Sequence, residues 1–145
     1  MIEGKRVIDF HGHVGQWDRY GAIDAADLML SAMDSVGIDI ACLFNIFHPD
    51  GATGNDLTAQ FVARHPDRFV GFAYVSPLIP EGMIAELERA FDQLNFVGIK
   101  LYPPYTPWPL DQSPWHPIHE FANERGATVL IHTDESEVSQ PKLLA

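Results

Sequence analysis

Val7-Ile8-Asp9-Phe10-His11-Gly12-His13 is the stretch on which the fold turns. Val7 to Phe10 is apolar apart from Asp9 and reads as a β-strand. Two histidines stand at its C-terminal end, separated by one glycine. Residues two apart in a strand project to the same side. His11 and His13 are thereby placed to grip one metal ion, and Asp9, of the same parity, is a candidate to orient one of them by a hydrogen bond. A bare His-x-His also arises by accident in turns, so its place in the order of elements has to supply the weight.

Working outward, short apolar runs alternate with segments of helical period. Ala25, Leu28, Met29, Ala32, Met33 and Val36 form one face of a helix over 25–36, with Asp24 as N-cap and Gly37 as C-cap. Strands are expected at Ile40–Phe44, Phe69–Val75, Val97–Leu101 and Thr128–Ile131. Helices are expected over 55–64, ending before Pro66, over 80–94, and from Ser113-Pro114 to Arg125, where Gly126 stops it. A loop rich in proline and aromatics, 102–115, follows the fourth strand. Strict alternation with near-continuous apolar strands implies a parallel sheet covered by helices. A doubly wound sheet would want a glycine-rich phosphate turn after the first strand, where this chain has histidines. The expected class is therefore α/β: a partial TIM (β/α)8-type barrel of about five parallel strands with four intervening helices. A full barrel takes about 250 residues, against 145 here. Residues 1–145 are thus expected to form a single, truncated barrel domain, one whose open edge invites association with another copy.

Active sites of such barrels lie at the C-terminal ends of the strands. His132 follows the fifth strand and shares that end with His11 and His13; three histidines suffice for a catalytic zinc with an open position. Lys100 sits inside an apolar strand, where an amine is costly to bury alone. It is a candidate to pair with a substrate carboxylate or to be carbamylated, the plain alternative being a stem that packs while its amine reaches solvent. His48, Trp17 and Tyr102, with Tyr105 and Trp108, fall in loops on the same side and are candidates to line a substrate pocket or simply to cover the mouth. Asp134 is placed to steer His132 or to cap the next helix. His65, His116 and His119 read as helix-end or surface histidines. Cys42, the only cysteine, lies in an apolar run and reads as a buried thiol.

The chain carries 9 basic and 20 acidic residues, a net charge of −11. No basic stripe is visible to neutralise phosphates, which argues against nucleic acid and against an anionic membrane surface. No stretch approaches a membrane span, and one cysteine allows no internal disulfide. The expected setting is the cytoplasm and the expected partner a small molecule.

Ile8-Asp9-Phe10-His11-Gly12-His13, Phe96-Val97-Gly98-Ile99-Lys100-Leu101-Tyr102-Pro103 and Val129-Leu130-Ile131-His132-Thr133-Asp134 resemble strands one, four and five of the amidohydrolase-related family. The branch is that of the aminocarboxymuconate-semialdehyde decarboxylase-like enzymes. Asp67 to Ala73 is similar to that group's third strand. The resemblance implies that His11, His13 and His132 bind a divalent metal, zinc first, with manganese or iron as alternatives. It implies catalytic roles for His132 and for Lys100, whose position carries a carboxylated, metal-bridging lysine in binuclear members. The implied chemistry is attack of metal-activated water on a carbonyl or similar carbon of a small organic acid, ester or lactone. The alternative in this family is decarboxylation of a carboxylated aromatic or muconate-like acid. A third reading is a catalytically incomplete metal-binding half barrel that self-associates. The family's histidine after strand six and aspartate after strand eight, the general base, have no counterpart in these residues.

Overall fold

The structure, a computed structural model, describes residues 4–15 and 25–144. Its strands are β1 (Ile8–His13), β2 (Ile40–Phe44), β3 (Phe69–Tyr74), β4 (Gly98–Leu101) and β5 (Thr128–Ile131). Between them lie α1 (Ala26–Val36), α2 (Ala52–Val62), α3 (Met83–Asp92) and α4 (His116–Arg125). Every strand pairing is parallel and the order is β1-β2-β3-β4-β5. That order decides between the two architectures. A doubly wound sheet reverses direction and buries its first strand, whereas here each new strand adds to the same edge, as around a barrel. The product is a curled half barrel with its helices outside.

Alternate residues of each strand serve two layers. Cys42, Phe44, Ile46, Phe72 and Tyr74 cluster on the inner face, with Val70, Tyr102 and Leu130 against them. On the outer face Ala41, Leu43 and Phe69 pack with Ala26 and Met33 of α1 and Phe61 of α2. Ala73, Ile99 and Leu101 meet Leu87 and Ala90 of α3 and Ile118 of α4. Burial on both faces explains why β2 and β3 read as near-continuous apolar runs rather than alternating ones.

Helix ends depart from the periodicity where turn chemistry intervenes. α2 starts at Ala52, three residues before the expected Asn55, because the Asp50 carboxylate accepts from the Thr53 backbone N–H (3.3 Å) and hydroxyl (2.6 Å). α3 starts at Met83 rather than at residue 80, since Gly82 is left-handed at φ 76° and cannot belong to the helix. Ser113 does not cap α4: Ser113–Trp115 make a 3₁₀ turn, and Trp115 takes the N-cap position. Gly37 and Gly126 close α1 and α4 in the left-handed conformation, as expected. The N-cap position of α1 falls on Ala25 rather than on the expected Asp24, which lies outside the described residues.

One buried amide ties the layers together. The Tyr74 N–H donates to Asn55 Oδ1 (2.8 Å), and Asn55 Nδ2 donates to Tyr74 O (3.1 Å) and to Glu86 Oε1 (2.8 Å). Arg89 then bridges Glu86 (2.7 Å) and Asp56 (2.8 Å). α2, β3 and α3 are thus joined by a polar network in which each buried group has a partner.

Candidate functional site

β1 runs through both histidines to His13, beyond the expected Phe10. It carries one extra residue against β2: Asp9 faces Ala41 and Gly12 faces Leu43, three steps opposite two. A bulge of this kind re-aims the side chains beyond it. A Cβ at Gly12 would meet Leu43 Cδ2 at 2.5 Å and Cys42 O at 3.2 Å, so glycine lets β1 lie close against β2 without displacing Leu43. His11 and His13 emerge on one side with their Nε2 atoms 3.2 Å apart. Both rings lie edge-on to Phe44, at 5.2 and 4.6 Å between centroids. Asp9 does not reach an imidazole ring. Its Oδ1 accepts the His11 backbone N–H at 3.0 Å, because the bulge breaks the parity that would have aligned the three side chains.

Lys100 pairs in the sheet between Tyr74 and Leu130, both inward-facing, and is itself 0% exposed. Its Nζ stands 4.7 Å over the Phe44 ring and has no hydrogen-bond partner among the described residues. The amine therefore does not reach solvent. At Gly98, of the same parity, a Cβ would meet Phe72 Cε2 at 2.7 Å, so the missing side chain accommodates the Phe72 ring.

His132 extends the β5 ladder by one bond, its N–H donating to Leu101 O at 3.0 Å. Its ring lies 4.5 Å from that of Tyr102, which in turn lies 4.4 Å from Tyr105. Asp134 Oδ2 approaches its Nε2 at 3.5 Å, and the Ser139 hydroxyl donates to its carbonyl at 2.6 Å. Hydrogen bonds from Ser136, and then the His132 charge, hold the Asp134 carboxyl below its ordinary range.

Burial governs the electrostatics. It lowers His11, with the Lys100 and His132 charges adding to the shift. It pushes His13 down to about 4, followed by His11, Lys100 and His132. It pushes Lys100 down to about 8. At neutral pH the histidine pair is uncharged and offers lone pairs, the form in which imidazole binds cations.

This pair fits a divalent metal. Two ligands about 2.1 Å from an ion stand roughly 3.0–3.4 Å apart at coordination angles of about 90–110°, and the observed Nε2 separation is 3.2 Å. Among the described residues no three His, Cys, Asp or Glu side chains converge as a complete cage. His11, His13 and Lys100 are brought together; His132 stands at the same end, near enough for its charge to act on both imidazoles. Tyr102 packs on His132. His48 is half-buried in the turn after β2, its carbonyl accepting the Gly51 N–H at 3.1 Å. Trp17 lies outside the described residues. Phe44 and Ser139 were missed in the sequence. Inward parity on β2 signals Phe44, whereas nothing local marks a serine seven residues beyond His132.

A cleft near Arg6 and Asp67 lies at the opposite, N-terminal end of the strands. Arg68 there is engaged in structure, donating to Asp34 Oδ1 and to the carbonyls of Ile38 and Asp39. Among the described residues no helix is long and apolar enough to cross a membrane.

A family model described as Amidohydrolase matches residues 8–144. A 2-keto-4-carboxy-3-hexenedioate hydratase of Sphingobium sp. is 33% identical over 91 residues, 57% of this chain and 26% of that protein. A gamma-resorcylate decarboxylase of Rhizobium radiobacter is 34% identical over 88 residues, 52% of this chain and 27% of that protein. A crystal structure of a 5-carboxyvanillate decarboxylase from Novosphingobium aromaticivorans, with bound manganese, superposes with a TM-score of 0.74 at 20% identity. It covers 98% of this chain, which spans 54% of that one. At that identity the likeness speaks to the fold. The matches cover about a quarter of the length of the two curated relatives.

Proposed function

This chain belongs to the amidohydrolase family, and from that premise we propose a metal-dependent hydrolase acting on a carbonyl or similar carbon of a small organic acid, ester or lactone. His11 and His13 hold the cation and His132 joins them from the end of β5. Imidazole donors suit zinc first and manganese next; manganese is the ion named for the solved decarboxylase. Such a cation, when bound, supplies Lewis acidity and brings the pKa of water toward neutrality. The chain's own residues prepare the place. Phe44 fixes the azimuth of both imidazoles, and the Gly12 bulge turns them to one side. Asp134 and Ser139 hold the His132 ring and backbone. Lys100 sets a cation beside the pair, and Tyr102, His48 and Trp17 are assigned to substrate binding. The observation that carries this reading is the 3.2 Å Nε2 separation at the C-terminal end of a barrel strand.

Metal content measured on the wild type and on His11→Ala, His13→Ala and His132→Ala tests it. One ion per chain in the wild type, and a loss of about tenfold or more in affinity in each variant, is expected. Unchanged stoichiometry in all three sinks a shared site. A second reading, loss of carbon dioxide from a carboxylated aromatic or muconate-like acid, is favoured by the likeness to gamma-resorcylate decarboxylase. Carbon dioxide release, assayed against ester and lactone hydrolysis on the same preparation, separates the two.

A further inference from the structure

His13 stands between two glycines, and each is pressed against the neighbouring chain. Gly12 lies against Leu43, and a Cβ at Gly15 would meet Asn45 Nδ2 at 2.3 Å. Leu43, Phe44 and Asn45 are consecutive, so adjacent side chains at the end of β2 bear on one short stretch around His13. Phe44 pairs with His13 in register and sets its ring against both imidazoles. The Phe44 carbonyl accepts the Val14 N–H at 3.0 Å, which carries the pairing past the end of β1.

Asn45 is the member of the three whose chemistry is incomplete. It is fully buried. Its Oδ1 accepts the Phe47 N–H at 2.9 Å, an Asx turn that leads the chain out of β2. That bond fixes which way the amide faces. Nδ2 is turned to Gly15 and has no hydrogen-bond partner among the described residues. A buried donor without a partner is costly, and the turn does not require one, since a serine hydroxyl can make it too. The packing is nevertheless built to the shape of the amide. On the α2 side a Cβ at Gly54 would meet Asn45 O at 3.1 Å and Oδ1 at 3.2 Å. Glycine on both flanks lets the amide fill the space between the β1 exit and α2. Gly15, at φ 105°, follows a backbone course that side chains disfavour, so the turn meeting Nδ2 is itself specified by glycine. Phe47, held by Oδ1, lies 6.1 Å from His13 between ring centroids. Phe44, Phe47 and the Gly15 turn all approach His13, and Asn45 adjoins each of them.

We propose that Asn45 is a positioning residue of the histidine pair: its amide holds the β1 exit against β2 and so keeps His11 and His13 on one side, at the spacing that receives a cation. Asn45 acts through the backbone and the flanking rings, not as a ligand. The inference deepens the proposed function and rests on it only for what the pair binds.

The probe is cobalt(II), which imidazole ligands bind and whose visible spectrum reports their geometry. Wild type, Asn45→Ser and Asn55→Ala are titrated as the full chain. Serine keeps an oxygen for the Phe47 N–H and removes Nδ2. Asn55→Ala weakens the tie between α2 and β3 and controls for a merely structural effect. Asn45→Ser is expected to bind cobalt at least about tenfold more weakly and to show a changed spectrum at saturation. Asn55→Ala is expected to keep the wild-type affinity and spectrum. Wild-type affinity and spectrum in Asn45→Ser, or equal changes in Asn55→Ala, overturn the proposal. Hydrogen exchange on the metal-free chain is the second measurement. Asn45→Ser should speed exchange at the Val14 N–H by about tenfold or more, while the Ala41 N–H, bonded to Arg68 O, keeps its wild-type rate. Unchanged exchange at Val14, or equal acceleration at both amides, overturns it. If Asn45→Ser does not fold, Asn45→Thr, which keeps the hydroxyl and fills more of the space, is put through both measurements. Failure of the wild type to bind cobalt counts against the proposed metal site, while exchange at Val14 still judges Asn45.

Discussion

Lys100 is the residue at which burial works most plainly against stability. Burial lowers its pKa from the ordinary 10.5 to about 8 in the folded chain. Below pH 8 both folded and unfolded chains carry the proton, and the folded state bears the whole cost of the buried charge. Between pH 8 and 10.5 the folded amine has released its proton while the unfolded one keeps it. The unfolded state then binds more protons, and stability rises with pH. The shift corresponds to at most about 3 kcal/mol. Urea midpoints of wild type and Lys100→Met at pH 7 and pH 10 check this. The variant is expected to be the more stable at pH 7, with the gap narrowing toward pH 10; a gap independent of pH would contradict the burial argument. Sites that sacrifice stability in this way are characteristic of function. Such a lysine is conspicuous in the sequence, since an amine inside Val97–Leu101 breaks an apolar strand. Its lack of a partner is not, because that depends on what four other strands place around it.

At the scale of elements, the polar tie through Asn55 has the larger consequence. Its side chain takes the hydrogen bonds that a further backbone residue would make to Tyr74, and it anchors Glu86 as well. Asn55→Ala leaves the Tyr74 N–H and C=O and the Glu86 carboxylate without these partners in a dry interior. The expected loss is roughly 2–4 kcal/mol, summed over groups each costing about 1–3 kcal/mol when orphaned. Chemical denaturation reads it directly, and a loss below about 1 kcal/mol would mean that water replaces the amide. The elements themselves were largely legible. Strands β2 and β5 fall where the apolar runs place them, and α1 and α4 end at the glycines that mark them. The larger misses are at helix starts, where Asp50, Gly82 and Trp115 override periodicity by local turn and cap geometry, while α2 and α3 also end two residues short of the expected 64 and 94.

At the scale of the molecule, β1 and β5 are the outer strands of the sheet among the described residues. Ile8 and Phe10 on β1 are 46% and 45% exposed. An open parallel edge with apolar side chains invites pairing. Sedimentation of these 145 residues is therefore expected to show a mass that rises with concentration. Ile8→Lys should shift the distribution toward monomer by placing a charge on that edge. A single monomeric boundary for the wild type across the whole concentration range would show that the edge is not a contact surface.

By itself the sequence determined the alternation of strands and helices, the parallel α/β class, the strand ends at which His11, His13 and His132 stand, and the pairing of His11 with His13. These come from short periods, two for strands and 3.6 for helices, which a local stretch carries whole. Only the tertiary structure decided the rest. The β1 bulge turned Asp9 to the backbone, Phe72 filled the space above Gly98, and Phe44 came beneath both the histidines and the lysine. Those outcomes depend on register and on contacts between strands distant in sequence. One extra residue in a ladder reverses which side chains meet, and no local pattern records it.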